Sequence, residues 1–105
     1  MSLRLRIEPE AAVELDEAAH WYEEKRVDLG RDFLEAVDEA LAFIASWPRS
    51  GKPVPNVPKE FAARRTPVRR FPYHVVYLET PDAIRILAFA HDRRRPSYWY
   101  TRLTS

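Results

Sequence analysis

An α+β fold of order β-α-α-β-β-β, with a helical hairpin packed on one face of a small, mainly antiparallel sheet, is what this chain predicts. Three features of its 105 residues carry that expectation. Two consecutive stretches early in the chain repeat their apolar residues at helical spacing. A proline-rich break follows. Two apolar runs, Tyr73 to Leu78 and Ala83 to Ala90, are then joined by the turn-like Thr80-Pro81-Asp82. Runs of strands segregated from helices indicate the α+β class, and the helical hairpin needs one sheet face to bury its apolar stripes.

The first element alternates strictly. Leu3, Leu5 and Ile7 fall on one face, the period of a half-buried strand, and Pro9 stops it. Pro9 suits the first turn of a helix, where its missing N–H costs nothing. Glu10, Glu14, Asp16 and Glu17 follow, while Lys25 and Arg26 sit near the end, an order that complements the helix dipole. Ala11, Leu15, Ala18, Ala19 and Tyr22 recur at helical spacing, giving a helix from Pro9 to about Arg26. Asp28 or Gly30 punctuates, and Phe33, Ala36, Val37, Ala40, Leu41 and Ile44 set out a second helix that Trp47-Pro48 ends. The short connection makes the pair an antiparallel hairpin.

Residues 48–58, PRSGKPVPNVP, hold four prolines and a glycine and read as a loop that crosses from helices to sheet. Ala63 to Phe71 is a plausible strand, with Pro67 placing it at an edge or delaying its start. The two apolar runs are rich in the β-branched and aromatic residues that fit a pleated surface, and with the preceding strand they should form an antiparallel meander. After His91-Asp92, Pro96 opens a short terminal helix carrying Tyr98, Trp99 and Arg102.

One domain spanning 1–105 is the expectation, since a chain of this length builds a single core. Hydrophobic residues make up 46% and charged residues 31%, the balance of a globular protein. Cysteine is absent, which removes disulfides and thiolate metal sites and fits a cytoplasmic location. No signal-peptide h-region and no apolar run long enough to span a membrane is present. The net charge of +1 conceals a division: 7 Lys+Arg against 12 Asp+Glu in residues 1–58, then 10 against 4 in residues 59–105. The basic part could face phosphate or an acidic protein, or the two parts could neutralise one another within the fold.

Four groups of residues could carry chemistry. Arg64, Arg65, Arg69 and Arg70 offer planar forks that clamp phosphate, or else a charged edge that deters aggregation. In a regular strand Arg65 and Arg69 share one side, with Arg64 and Arg70 on the other. His91, followed by Asp92, Arg93, Arg94 and Arg95, could serve as a general base or acid, or form a surface turn. Tyr98, Trp99 and Tyr100 could stack on bases or fold back on the sheet as a flap. In the first helix, Trp21 and Tyr22 point about 100° apart, so only one can face the core. The three histidines lack metal-site spacing, and phosphate-binding glycine loops and serine-nucleophile elbows are absent.

The series Trp21-Tyr22, Gly30, Phe33, Pro48, Gly51, Arg69 with Phe71-Pro72-Tyr73, Val76-Tyr77, Ile84, His91, Arg93, Pro96, Tyr98-Trp99 and Arg102 resembles the RelE/ParE toxin superfamily over nearly the whole chain. The segments FPYHVVY and AHDRRRPSYW are its most specific parts. The resemblance implies a small toxin silenced by a cognate antitoxin that wraps around it. No cofactor and no metal is implied, and the assembly would be a homodimer or a toxin–antitoxin hetero-oligomer. ParE-like members poison DNA gyrase, and RelE-like members cleave messenger RNA in the ribosomal A site. The HDRRRP-YW tail tilts toward the ParE-like branch, and a relative that only binds its antitoxin is a third reading.

For a RelE-like nuclease the resemblance implies Arg69 and Arg93 as phosphate-binding groups and His91 or Tyr98 for proton transfer, with the catalytic tyrosine falling near Trp99. The lysine pair of that branch has only Lys52 and Lys59 as neighbours, and Glu60 stands beside His91 as an alternative acid–base candidate. A base would deprotonate the ribose 2′-OH, arginines would stabilise the transition-state charge, and an acid would protonate the leaving oxygen. Under the gyrase reading Arg65, Arg70, Arg94, Arg95, Arg102 and Trp99 become contacts to the target. Arg69 and Arg93 converge on one face only if the meander is antiparallel and in register.

Overall fold

The computed structural model describes residues 4–104, and of Lys59 and Thr104 only the backbone. The chain runs β1 (Arg4–Ile7), α1 (Pro9–Lys25), α2 (Leu29–Ser46), β2 (Lys52–Pro53), β3 (Arg64–Pro67), β4 (Tyr73–Glu79) and β5 (Ala83–His91), with 3-10 turns at Lys59–Phe61 and Tyr100–Thr104. The five strands form one sheet of order β1-β5-β4-β3-β2. β1 lies parallel to β5 and the other three pairings are antiparallel, so the sheet is mixed and the late meander is present. Leu3, the expected start of β1, lies outside the described residues.

The helical hairpin forms where the spacing placed it. Pro9 opens α1, and Ala11, Ala18 and Tyr22 are its buried residues. Trp21 is 52% exposed while Tyr22 is buried, as their angular separation requires. At the joint, Asp28 takes a left-handed φ of 70°. The Glu23 carboxylate accepts the N–H groups of Asp28 and Gly30, each at 3.0 Å, so α1 caps α2. A Cβ on Gly30 would lie 2.6 Å from the Ala19 carbonyl oxygen, and only glycine admits that approach. Phe33, Ala36, Val37, Ala40 and Ile44 turn inward from α2.

β4 and β5 form the core of the sheet, and one irregularity sets their faces. Val76 opposes Ala88 but Tyr77 opposes Ile86, which leaves Leu87 as an extra residue on β5. The bulge changes the alternation. Ile84, Ile86 and Phe89 therefore face the helices, while Leu87 and Ala88 both belong to a second cluster.

That second cluster covers the far face of the sheet, in line with the reading of the tail aromatics as a flap folded back on it. Ala63, Val76, Leu87, Ala88, Trp99 and Leu103 pack together on the far face, with Val54, Val57 and Phe61 of the proline-rich loop and Tyr98 and Tyr100 of the tail against them. The loop and the tail are thus a second cover. Within the loop, Lys52 and Pro53 pair with Arg65 and Arg64, so β2 forms the edge and β3 is interior to it.

Two further boundaries differ from the sequence reading. β3 ends at Pro67, and Arg69 and Arg70 sit in the turn before β4, where Arg70 takes a φ of 74°. The last bond to β4 runs from the Val68 N–H to the Tyr73 carbonyl at 2.9 Å, and the chain reverses through Arg69 and Arg70 immediately after it. The tail turns at Pro96 without forming a helix there; its 3-10 turn starts at Tyr100, so Tyr98 and Trp99 precede it.

A buried phenol ties the loop to the sheet. The Tyr77 hydroxyl donates to the Pro48 carbonyl at 2.8 Å and accepts the Gly51 N–H at 3.1 Å. A Cβ on Gly51 would meet that oxygen at 2.2 Å, which explains a glycine within a run of prolines. Tyr77→Phe strands both backbone groups and should destabilise the fold by about 1–3 kcal/mol in denaturant unfolding. A change under about 0.5 kcal/mol would mean that this tie carries no stability.

Candidate functional site

β1 covers the edge of β5 only as far as Ile86. Beyond it the edge is completed by side chains. The Phe89 N–H donates to Glu14 Oε1 at 3.1 Å, and the Leu87 carbonyl accepts from the Arg102 guanidinium at 2.9 Å. The two side chains also bond each other as a fork, at 2.9 and 3.2 Å. Tyr98 donates its hydroxyl to the second Glu14 oxygen. One carboxylate on α1 therefore joins helix, sheet edge and tail.

This arrangement fixes what the tail residues can do. Arg102 and Glu14 have side chains only 16% and 17% exposed. Burial works against the Arg102 charge, yet the hydrogen bond and charge of Glu14 outweigh it and raise the pKa. Burial, and then the Glu14 hydrogen bond and charge, push the Tyr98 phenol well above the ordinary tyrosine value. Trp99 is 2% exposed and belongs to the second cluster. Trp99, Arg102 and the Tyr98 hydroxyl, proposed from the sequence as contacts or a proton carrier, are thus occupied in holding the tail down.

The bracketing arginines end up at one end of the sheet without sharing a cleft. Tyr73 opposes His91 and the Asp92 N–H donates to the Pro72 carbonyl at 2.8 Å, so the turns holding Arg69 and Arg93 are neighbours. Arg69 is 84% exposed, reaches Glu39 on α2 at 3.9 Å, and lines hollows along that helix. Arg93 does not line those hollows; its N–H donates to His91 Nδ1 at 3.0 Å. That bond makes Nδ1 of His91 the acceptor, so the neutral ring carries its proton on Nε2. Tyr73 packs edge-on against the His91 ring at 5.1 Å. Arg70 lies 5.8 Å from the Phe71 ring, and Glu60 is exposed in the first 3-10 turn.

Arg65, Arg94 and Arg95 are brought together instead. Arg65 lines a cleft of about 420 Å³ with Lys52, Thr66, His74 and Asp92. A smaller one, of about 120 Å³, shares Arg65, His74 and Asp92 and adds Arg94 and Arg95. Arg94 stacks over the Tyr98 ring at 3.9 Å. His74 Nδ1 lies 2.9 Å from Asp92 Oδ1. Among the described residues no cluster of His, Cys, Asp and Glu could hold a metal, and no helix is long and apolar enough to cross a membrane.

Sequence reasoning gave no site role to Glu14 or His74 and read Asp92 only as part of the turn after His91. Glu14 is one of several acids on α1, and its partner Arg102 lies 88 residues away, so nothing local distinguishes it. The His74–Asp92 contact had a signal in principle. His74 opposes Ala90, which places Asp92 diagonally across the hairpin once its register is known.

Glu14→Ala leaves Arg102 without its partner and should cost about 3 kcal/mol in denaturant unfolding, against about 0.5 kcal/mol or less for Glu17→Ala on the exposed face. Equal effects would contradict the node. The raised phenol predicts a second result. Tyr98 stays neutral in the folded chain after it has ionised in the unfolded one, so its contribution is complete below about pH 10 and is lost as pH rises through the raised folded value. In alkaline unfolding Tyr98→Phe should lessen the loss of stability above about pH 10; an unchanged alkaline limb would refute the assignment.

Comparison with known proteins agrees with this architecture. No curated protein matches the chain. The solved structure of the chromosomal ParDE TA system from P. aeruginosa superposes with a TM-score of 0.67 at 20% identity, over 86% of this chain and 96% of that one. The family model described as ParE toxin of type II toxin-antitoxin system, parDE, matches residues 5–96. The chain belongs to the ParE toxin family of type II toxin–antitoxin systems.

Proposed function

We propose that this toxin acts in the cytoplasm by poisoning DNA gyrase through surface contact, and that a cognate antitoxin neutralises it. Membership of the family implies the antitoxin partner. The observation that carries the non-enzymatic reading is the state of the tail. By the resemblance, the tyrosine of a nuclease of the wider superfamily would fall near Trp99, and Trp99 is buried. The neighbouring Tyr98 hydroxyl is bound to Glu14, and Arg69 faces α2. A ribonuclease needs positioned proton carriers beside phosphate-binding arginines; here the Tyr98 hydroxyl is engaged by Glu14, and Arg69 and Arg93 do not share a cleft. The antitoxin also has a surface to cover. Trp21, Val27, Phe43 and Trp47 leave large apolar areas exposed on and beside the helices.

Induced expression with and without the adjacent antitoxin gene separates the readings. The gyrase reading predicts growth arrest with gyrase-dependent DNA breaks, intact transcripts, and recovery on antitoxin expression. Mapped transcript cuts that vanish in Arg93→Ala would establish the RelE-like nuclease instead, and absence of toxicity would leave an antitoxin-binding relative.

A further inference from the structure

We infer that two copies of this chain associate through the trench between α2 and β3, each inserting Trp47 beside the other's Thr66. Two hollows form the trench. One, of about 350 Å³, lies between Ala36, Ala40 and Phe43 of α2 and Thr66 and Pro67 of β3. The cleft of about 420 Å³ shares Phe43, Thr66 and Pro67 with it and runs on past Ser50 and Gly51. Both open beside Thr66, which is only 8% exposed. Its Oγ1 is the buried side-chain atom that finds no hydrogen-bond partner among the described residues. An orphaned hydroxyl is costly, and this one borders empty space that a donor can enter. β2 pairs only with Arg64 and Arg65, and Pro67 offers no N–H to a further strand. The trench therefore suits an inserted side chain better than an added backbone.

The chain carries a side chain that answers this need. Trp47 is 64% exposed, one turn beyond Phe43 and three residues before Ser50, so it borders the trench without lining it. Its indole carries one N–H and no acceptor, the complement of a lone hydroxyl oxygen. The backbone that presents it is fixed. The Trp47 carbonyl accepts from the Ser50 N–H at 3.0 Å and the Ser50 hydroxyl at 2.7 Å, and Tyr77 holds the adjoining Pro48 carbonyl. An exposed tryptophan on a rigid support loses little freedom on binding. Knob and hole lie side by side on one molecule, so a two-fold axis seats each Trp47 in the other copy's trench. The rim carries both signs, Glu39 and Asp92 with Lys52, Arg65 and Arg69, so two identical rims can meet acid to base. A rim of one sign would repel its own copy. Trp21 and Val27, at the joint end of the hairpin, stay outside this contact.

The association needs no particular cellular target, so it stands apart from the gyrase reading. Sedimentation of the purified full chain from about 1 μM to about 1 mM should show a monomer–dimer equilibrium, and the Trp47 indole N–H resonance should move across the same range. Trp47→Ala should weaken the dimer at least ten-fold. Trp47→Phe and Thr66→Val should each weaken it about three- to ten-fold, and together little more than either alone, because both remove the same hydrogen bond. Thr66→Val should also raise the melting temperature of the dilute monomer by about 2–4 °C, since it removes the orphaned hydroxyl. A dimer untouched by Trp47→Ala, or additive effects of Trp47→Phe and Thr66→Val, would overturn the proposal. So would a chain that stays monomeric throughout, and weaker antitoxin binding by its Trp47→Ala variant would then assign the trench to the antitoxin.

Discussion

The Glu14 carboxylate meets three donors that come from different parts of the chain: the Phe89 N–H, the Tyr98 hydroxyl and the Arg102 guanidinium. A strand edge buried against a tail cannot leave its N–H and C=O groups unpaired, because each orphan costs on the order of 1–3 kcal/mol. β1 leaves the edge at Ile86 because Pro9 turns the chain into α1. The helix that follows must then supply from a side chain what the strand no longer supplies from its backbone. Glu14 does so, and Arg102 answers it from the other end of the chain while bonding Leu87. The ionic pair is retained in a partly buried place because both members also satisfy backbone groups.

A second pair extends the same edge toward the start of the chain. Arg85 reaches Glu8, whose N–H continues the β1 pairing to Ile86, and Arg85 also donates to the Arg102 carbonyl at 3.0 Å. With the tail fixed, Trp99 and Leu103 seal the far face and the loop packs beside them. The basic cleft is a consequence. Its outer wall, with Arg94 and Arg95, is held in place because Tyr98 and Arg102 just beyond it are anchored to α1. The site thus rests on interactions made some distance from it.

Much of this fold was legible in the sequence, and the unread parts share a cause. The helical hairpin, the meander and the single core-facing member of Trp21-Tyr22 all follow from periodicity and from local signals such as Pro9 and Trp47-Pro48. The Leu87 bulge, the loop's share of the second cover and the Glu14 node depend on partners far apart in sequence, and no window along the chain contains them. The candidate site divides the same way. Arg65, Arg94 and Arg95 were visible as a basic set, but strand alternation carried through Arg69 and Arg70 failed where β3 ended at Pro67. His74 has no local signal, because its partner Asp92 lies 18 residues away and only the hairpin register brings the two together.

Native-state hydrogen exchange at the Phe89 amide tests the edge-closing role of Glu14 most directly. If Glu14 completes the β5 edge, this amide should exchange as slowly as the core amides of β4, and Glu14→Ala should free it selectively, by a hundred-fold or more. Rapid exchange of Phe89 in the unaltered chain, or equal protection with and without Glu14, would contradict the account.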